Sequence, residues 1–463
     1  MEGTAVAERD RAAVTDRRVA VAIGAFGVLW GLPFVLLGPK FVLDDWFTRY
    51  WAWQDGWWRA AGPTQPRARP LGALIYTIEF GVIGDHPGVI AAVQVGLSAA
   101  TAVLFFVVCR RFLSRWISAA VAVTWLILGN HSALDHWASG MIAQVALLLL
   151  LAGVLLLIRT EDAGRPPWPG TVLVAVSALS YEATILAAAA AVVAVPLLTR
   201  RRLPWRRLAW QLGIVGATGA YLVAASYHFD NDQGWLDVGT VFNGHFGSAV
   251  LPSWGPVGAI LALGAAIGVV TALVRPLSPR LRDVIPAGPS HLVVAGVAVI
   301  AIGLAPFIRY PISVLGVGDR ANVVAALGTA LAWVGLAGML AGMARGRTAV
   351  LVVAGAVLAT GFAAQGIQRD LDWHRAMVDT DRTLAAMAAK AGTLPPGTLV
   401  VAGPTPRWHH GITGLIGSVP WHLQAYTGIP GLDGEVATTA EAFNRVPPEH
   451  RVEIEEKDAP GAP

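Results

Sequence analysis

TVLVAVSALSYEATILAAAAAVVAVPLL, Thr171–Leu198, is one apolar block whose single charged residue is Glu182. Whether the chain crosses a bilayer once or twice here fixes the sidedness of everything before it. One crossing would put Arg110, Arg111 and Arg115 on the opposite side from the later basic clusters, against the bias that keeps arginine in cytoplasmic loops. Two crossings keep every cluster on one side. At 1.5 Å per residue, two helices cut from about 28 residues cannot both span a core of about 30 Å. The Tyr181–Glu182 apex is therefore expected to lie recessed, facing protein or water, because an unpaired carboxylate against lipid is expensive. The alternative is one long tilted helix with a snorkelling glutamate.

The rest of the chain follows the same logic. It is 55% hydrophobic and only 14% charged over 463 residues, where a soluble chain carries about a quarter charged residues. The mean hydropathy is +0.57. Basic clusters fall at Arg9–Arg18, Arg110–Arg115, Arg159–Arg165, Arg200–Arg207, Arg275–Arg282 and Arg345–Arg347. Placing all of them in the cytoplasm gives 11 crossings, at roughly 19–39, 87–108, 116–130, 138–158, 171–181, 183–198, 208–227, 256–274, 291–308, 322–344 and 348–365. The fold class is thus an all-α polytopic membrane protein, N-terminus inside and C-terminus outside. The net charge of +4 is positive-inside patterning and implies no nucleic-acid partner. Arg17-Arg18 before an apolar run has the look of an export signal. No A-x-A site closes that run, so a retained first helix is expected. The single cysteine, Cys109, excludes an internal disulfide and a cysteine-built metal site.

Three parts emerge: residues 1–18 as a cytoplasmic N-terminus, 19–365 as the transmembrane domain, and 366–463 as an extracytoplasmic tail. Residues 40–86 form a long first outer loop, and 228–255 a second. In the tail, Arg369–Lys390 reads as a helix, Gly397–Gly403 as a strand, and Pro404–Gly417 as a loop. The last twenty or so residues, EHRVEIEEKDAPGAP among them, have a disordered composition. The tail is expected to be a small mixed α/β unit.

Nearly all ionisable residues at membrane depth sit at the outer ends of spans: Asp44, Asp45, Arg67, Arg69, Glu79, Asp85, Asp135, His136, Glu182, Arg309, Asp319 and Arg320. Ion-coupled transporters need such groups deep in the bilayer. The first pair opens FVLDDWFTRYWAWQDGWW, Phe41–Trp58. Trp46, Tyr50, Trp53 and Trp57 follow helical spacing, as in an amphipathic helix lying at headgroup level. N-capping accounts for one aspartate of the pair. Neighbours on a helix point about 100° apart, so both can hardly serve one atom. Arg69, just before Pro70, presents a permanently charged fork to a phosphate or anchors the chain among headgroups. Asp319 and Arg320 precede the tenth span, where Asp319 caps and pairs with Arg320, or the two form part of an anion site. HSALDHWASG, His131–Gly140, reads as a substrate-lining polar turn or, less readily, as metal ligands. HHG at His409–Gly411 is a weaker signal of the same kind.

An acidic pair directly after the first span, an interfacial helix, and Arg69-Pro70-Leu71 opening a second one together resemble integral-membrane glycosyltransferases of the GT-C type. RPLGALIYTIEFGVIGDHPGVIAAV is similar to the corresponding segment of membrane O-mannosyltransferases. LSYEATILA, Leu179–Ala187, is similar to their Ser-Lys-Glu motif, with Tyr181 in place of the lysine. GDRANVVAALG resembles their late arginine before a helix. The resemblance implies a polyprenyl-phosphate sugar donor, a glycan, lipoglycan or protein acceptor, and membrane lipids as surroundings. It makes Asp44 the general base, with Asp45 the fallback. Arg69 and Arg320 would hold the lipid phosphate, Glu182 would shape the donor pocket or position an arginine, and Tyr181, Arg309, Asp135 and His136 would line the substrate. No metal ligands are assigned and no cofactor is required, though the converging acids leave room for a divalent ion. Two other readings compete. A flippase of lipid-linked sugars would need ionisable groups along a route through the bilayer, and a noncatalytic assembly factor would tolerate loss of Asp44 and Arg69.

Overall fold

The computed structural model describes residues 2–62, 65–199, 205–226, 288–307, 316–343, 348–395, 397–403, 412, 415, 417–437 and 439–453. Arg309, the whole 228–255 loop, the 256–274 span and His409–Gly411 lie outside them.

The apolar block divides as its length and Glu182 dictate. Helix α9 runs Trp168–Ser180, Tyr181 turns to extended backbone, Glu182–Thr184 makes one tight turn, and α10 runs Ile185–Thr199. The other helices before it are α1 (Glu2–Leu36), α2 (Asp44–Asp55), α3 (Gln65–Ala68), α4 (Pro70–Tyr76), α5 (Pro87–Cys109), α6 (Arg115–Ile127), α7 (Ser132–His136) and α8 (Met141–Asp162). After it come α11 (Trp205–Ser226), α12 (Pro289–Leu304), α13 (Ala325–Met343), α14 (Thr348–Ala391), α15 (Pro420–Thr427) and α16 (Ala440–Asn444). Proline opens α4, α5, α12 and α15, where its missing N–H costs nothing. Six described helices are long and apolar enough to cross a membrane, and four more are shorter but apolar. Each expected span that falls within described residues coincides with a helix to within a few residues at its ends. This is a multi-pass helical membrane protein.

The two ends of the bundle differ in charge. At one end Asp16 takes Arg110 (3.1 Å) and Arg115, and Arg111 pairs with Asp162. Asp16 lies within α1, Arg110 and Arg111 follow α5, Arg115 begins α6 and Asp162 ends α8, so four elements meet where the basic clusters lie. Exposed Trp116, Trp168 and Trp205 stand at this end. Exposed Trp53, Trp57 and Trp58 belong to the segment at the other end. Tryptophan at both ends is the girdle expected of a chain that meets two membrane surfaces. Helices pack closely through small residues: a Cβ on Gly296 of α12 would lie 2.5 Å from the Gly328 carbonyl of α13.

Helix α14 runs unbroken across the expected boundary at 365, carrying the last expected span into the tail. There a four-stranded sheet of β1 (Leu399–Gly403), β2 (Gly417–Ser418), β3 (Asp433–Val436) and β4 (Arg451–Glu453) has the order β2-β3-β1-β4. β1 pairs in parallel with β3 and β4, and β2 is antiparallel to β3. β4 lies inside the stretch expected to be disordered and corrects that expectation for Arg451–Glu453, which pairs with Val401–Gly403; residues 454–463 lie outside the described ones. A short edge strand needs only one buried side chain, here Val452. Its charged neighbours hide it from a compositional reading while protecting the edge.

Candidate active site

The acidic pair sits on a strained corner. Leu43 has φ 47° and ψ −126°, the geometry of the first central position of a type II′ turn, where glycine is usual. Among the described residues it is the only non-glycine with positive φ. The turn closes twice, with Asp45 N–H donating to the Val42 carbonyl (3.0 Å) and Val42 N–H donating to Asp45 Oδ2 (3.1 Å). Asp45 Oδ1 accepts from the Ser139 N–H (2.8 Å) and hydroxyl (2.6 Å). Asp45 is wholly buried, and burial pushes its carboxyl up to about 7 against those hydrogen bonds. Asp44, one residue earlier, has a side chain 63% exposed. The two carboxylates therefore differ in kind: Asp45 is committed to the backbone on both oxygens, and Asp44 faces outward from the corner.

The expected aromatic stripe stops short. Helix α2 ends at Asp55, Gly56 turns the chain at φ 92°, and Trp57 starts a separate turn. Trp46 points inward, and its indole N–H donates to the Phe41 carbonyl (3.0 Å).

Arg69 precedes α4, which packs against the end of α9. Gly72 permits that approach, since a Cβ there would lie 2.8 Å from the Ser180 carbonyl. Arg69 consequently reaches the Tyr181–Glu182 apex. Its Nε donates to Glu182 Oε2 (2.6 Å) and its Nη2 to Oε1, a two-pronged bond. The guanidinium also lies 5.0 Å from the Tyr181 ring centre. The two bonds to Glu182 use two of five N–H donors. Glu182 is thus bonded to Arg69 through both carboxylate oxygens. Tyr181 thus supplies a ring face beneath the same arginine.

Arg320 arrives from the turn Gly316–Asn322, which precedes α13. Its Nη1 lies 3.6 Å from Asp44 Oδ2, and its guanidinium is 4.9 Å from the Trp137 ring centre. Asp319 does not behave as the N-cap of the next span. It accepts from Ser132 N–H (2.9 Å), Ser132 hydroxyl (2.7 Å) and Ala133 N–H (2.8 Å), at the start of α7. Trp373 of α14 donates its indole N–H to the same Ser132 hydroxyl (3.0 Å). Asp319 therefore pins the Arg320 turn to α7, and burial pushes its carboxyl up to about 7.

The structure divides the expected site residues in two. Asp44, Arg69, Tyr181, Glu182 and Arg320 converge with Tyr76, whose hydroxyl donates to the Ser139 carbonyl (3.3 Å). Asp135 and His136 instead line a separate cavity of about 40 Å³ with Trp30, Phe34 and His131. Asp135 accepts from Ser98 and Gln144 and lies 3.6 Å from His131 Nε2. His136 is held by the Ser132 carbonyl and Asp370, each at 2.7 Å. Burial opposes charge on His136, but the Asp370 carboxylate outweighs it and raises its pKa. Among the described residues no group of three or more His, Cys, Asp or Glu is placed to hold a metal ion.

Sequence reading missed Ser139, Trp137, Tyr76 and His422. The first two lie inside the His131–Gly140 turn, whose His and Asp drew attention away from them. His422, on α15, sits beside Asp44 and the Leu43 backbone. Nothing local in PWHLQAYT marks it.

Fold and site together define a multi-pass membrane protein carrying an ionic site at the end of the bundle opposite its basic clusters, with an exposed carboxylate beside one arginine and near a second. No family model and no curated protein matches the chain. Among solved structures it is similar to the crystal structure of ArnT from Cupriavidus metallidurans in the apo state, at 15% identity and a TM-score of 0.46, over 94% of this chain and 91% of that one.

Proposed function

We propose that the protein is an inverting glycosyltransferase that moves a sugar from a polyprenyl-phosphate donor to a glycan, lipoglycan or protein hydroxyl outside the cytoplasmic membrane. The observation that carries this reading is the convergence of solvent-facing Asp44 with Arg320 and the Arg69–Glu182 pair, from four distant parts of the chain. The positive-inside rule puts that end outside, with the N-terminus inside and the C-terminal tail outside.

The chemistry asks little more of the protein. The acceptor oxygen attacks the anomeric carbon and its proton passes to an Asp44 oxygen. The bond from that carbon to the phosphate oxygen breaks, and the polyprenyl phosphate leaves with the electron pair. General base catalysis of this kind contributes about 10²–10⁴-fold. Negative charge grows on the phosphate, and guanidiniums are suited to it through paired charge-assisted hydrogen bonds. Arg69 is held ready by Glu182, while Arg320 sits on Trp137 and exchanges Asp44 for phosphate as the donor arrives.

The test is transfer in proteoliposomes with a panel of polyprenyl-phosphate sugars. Wild type transfers one of them and Asp44→Asn does not, whereas equal rates would remove the assignment of the base. Repeating the assay in EDTA measures whether a divalent ion shares the phosphate charge.

A further inference from the structure

The tail does not hang apart from the membrane domain. Helix α15 lies along α2, where Trp421 packs edge-on to Phe47 (ring centres 5.3 Å) and Tyr426 lies against Trp46 (5.6 Å). Between those rings His422 reaches the Leu43 backbone. Its Nδ1 is buried without a hydrogen-bond partner, so the proton belongs on Nε2, where it can donate to the Leu43 carbonyl. Burial drops the His422 pKa to about 4, which keeps the ring neutral beside Asp44.

Leu43 is where such a bond matters. Its φ of 47° is a conformation a β-carbon disfavours, and it persists only when the surroundings hold it. Asp45 and Ser139 hold the turn from the membrane side. On the other side stands His422. The geometry points to His422 as a positioning residue: α15 clamps the strained Leu43 corner and so sets where the Asp44 carboxylate stands. The inference rests on the reading of Asp44 as the base, but it predicts a structural effect that does not depend on transfer.

The test uses the full chain in proteoliposomes. His422→Ala is expected to lower kcat about tenfold with the KM for the donor unchanged, because Asp44 is displaced while the arginines are not. His422→Gln keeps an N–H donor and is expected to recover most of kcat. Leu43→Gly placed in the His422→Ala background is also expected to recover activity, since glycine adopts positive φ without strain. A plain packing defect would not be repaired by either change. Hydrogen exchange at the Asp44–Trp46 amides supplies the independent readout: faster in His422→Ala, and back to the wild-type rate in His422→Gln. Unchanged exchange in His422→Ala overturns the clamp whatever the activity, and so does full kcat in His422→Ala. If wild type transfers no sugar while exchange responds as stated, the glycosyltransferase reading falls and the clamp stands.

Discussion

On one face of the His131–Gly140 turn, His131 pairs with Asp135 and His136 with Asp370, and Asp135 and His136 are further bonded to Ser98, Gln144 and the Ser132 carbonyl. On the other face, Trp137 carries Arg320, and Ser139 holds Asp45 so that Asp44 turns outward. Both faces are rich in charge and lie at the same end of the bundle. The first closes on itself: Asp370 is 16% exposed and His136 9%. The second leaves Asp44 63% exposed beside an arginine at 3.6 Å, a distance that holds the pair loosely. A paired, enclosed cluster fixes helices in place, whereas a loosely paired, open one can exchange its partner for a ligand.

The strongest way to break that contrast is to neutralise one acid on each face. Asp44→Asn is expected to reduce transfer by about 10²–10⁴-fold, the span typical of a lost general base, with the melting temperature nearly unchanged. Asp370→Asn is expected to do the reverse. It removes the counter-charge of a buried His136, costs about 1–3 kcal/mol of stability, and leaves kcat within a few-fold. If Asp370→Asn instead lost transfer at constant melting temperature, the enclosed cluster would belong to the reaction.

Within the open face the two arginines differ as well. Arg69 is gripped by both oxygens of Glu182, and Arg320 meets Asp44 through one long contact. Lysine cannot reproduce a two-pronged bond. Arg69→Lys should therefore cost about 1.5–3 kcal/mol of transition-state stabilisation, the range for hydrogen bonds to charged groups, or roughly 10- to 100-fold in kcat/KM. Arg320→Lys should cost less than tenfold. Steady-state kinetics with the donor decide it, and a larger loss at Arg320 would reverse the assignment of the rigid clamp.

How much of this arrangement was legible in the chain follows from the range of the signals. Glu182 inside an apolar block announced the break between α9 and α10, because length and charge are local facts. Arg69 and Arg320 were legible as cations at the end opposite the basic clusters, because the order of the spans sorts charges by end. Which acid of the pair faces solvent was not, since that depends on Ser139 and the Leu43 conformation. Asp319 reads as a cap of the helix that follows it, yet it serves α7, nearly two hundred residues earlier in the sequence. No periodicity connects His422 to Leu43. The long-range polar contacts that select one site geometry leave no mark in spacing.

The acids behind the two faces should register in the pH dependence of stability. Asp45 and Asp319 have folded values near 7 against an ordinary 3.8. The folded state therefore holds their protons more tightly than the unfolded chain. Their contribution is complete below about 3.8 and is lost as pH rises through 7. His136, raised, works in the same direction, while His131 and His422, lowered, contribute only below about 6.5. Between about pH 4 and 7 these two carboxyls should lower stability as pH rises, by up to about 1.4 kcal/mol per pH unit for each proton, against the opposite pull of His131 and His422. Asp319→Asn should remove its share, so that its melting temperature gains on that of wild type from about pH 4 to 7 and runs parallel to it above. Parallel profiles throughout would show that Asp319 ionises as freely folded as unfolded.

The smallest expected effect concerns Glu79, which belongs to neither face. It sits on the π-helical turn Thr77–Ile83 that continues α4, wholly buried, and neither carboxyl oxygen has a hydrogen-bond partner. An unsatisfied buried polar group costs about 1–3 kcal/mol, and replacing it with an apolar side chain of similar shape can be neutral or stabilising. Glu79→Met should therefore leave transfer within twofold and raise the melting temperature by a few degrees at most. The sign is informative because the same substitution on the open face, at Asp44, would abolish transfer. A loss of transfer at unchanged stability would mean that the π-turn delivers a working carboxyl next to Asp45, and the site would then extend behind the corner that presents Asp44.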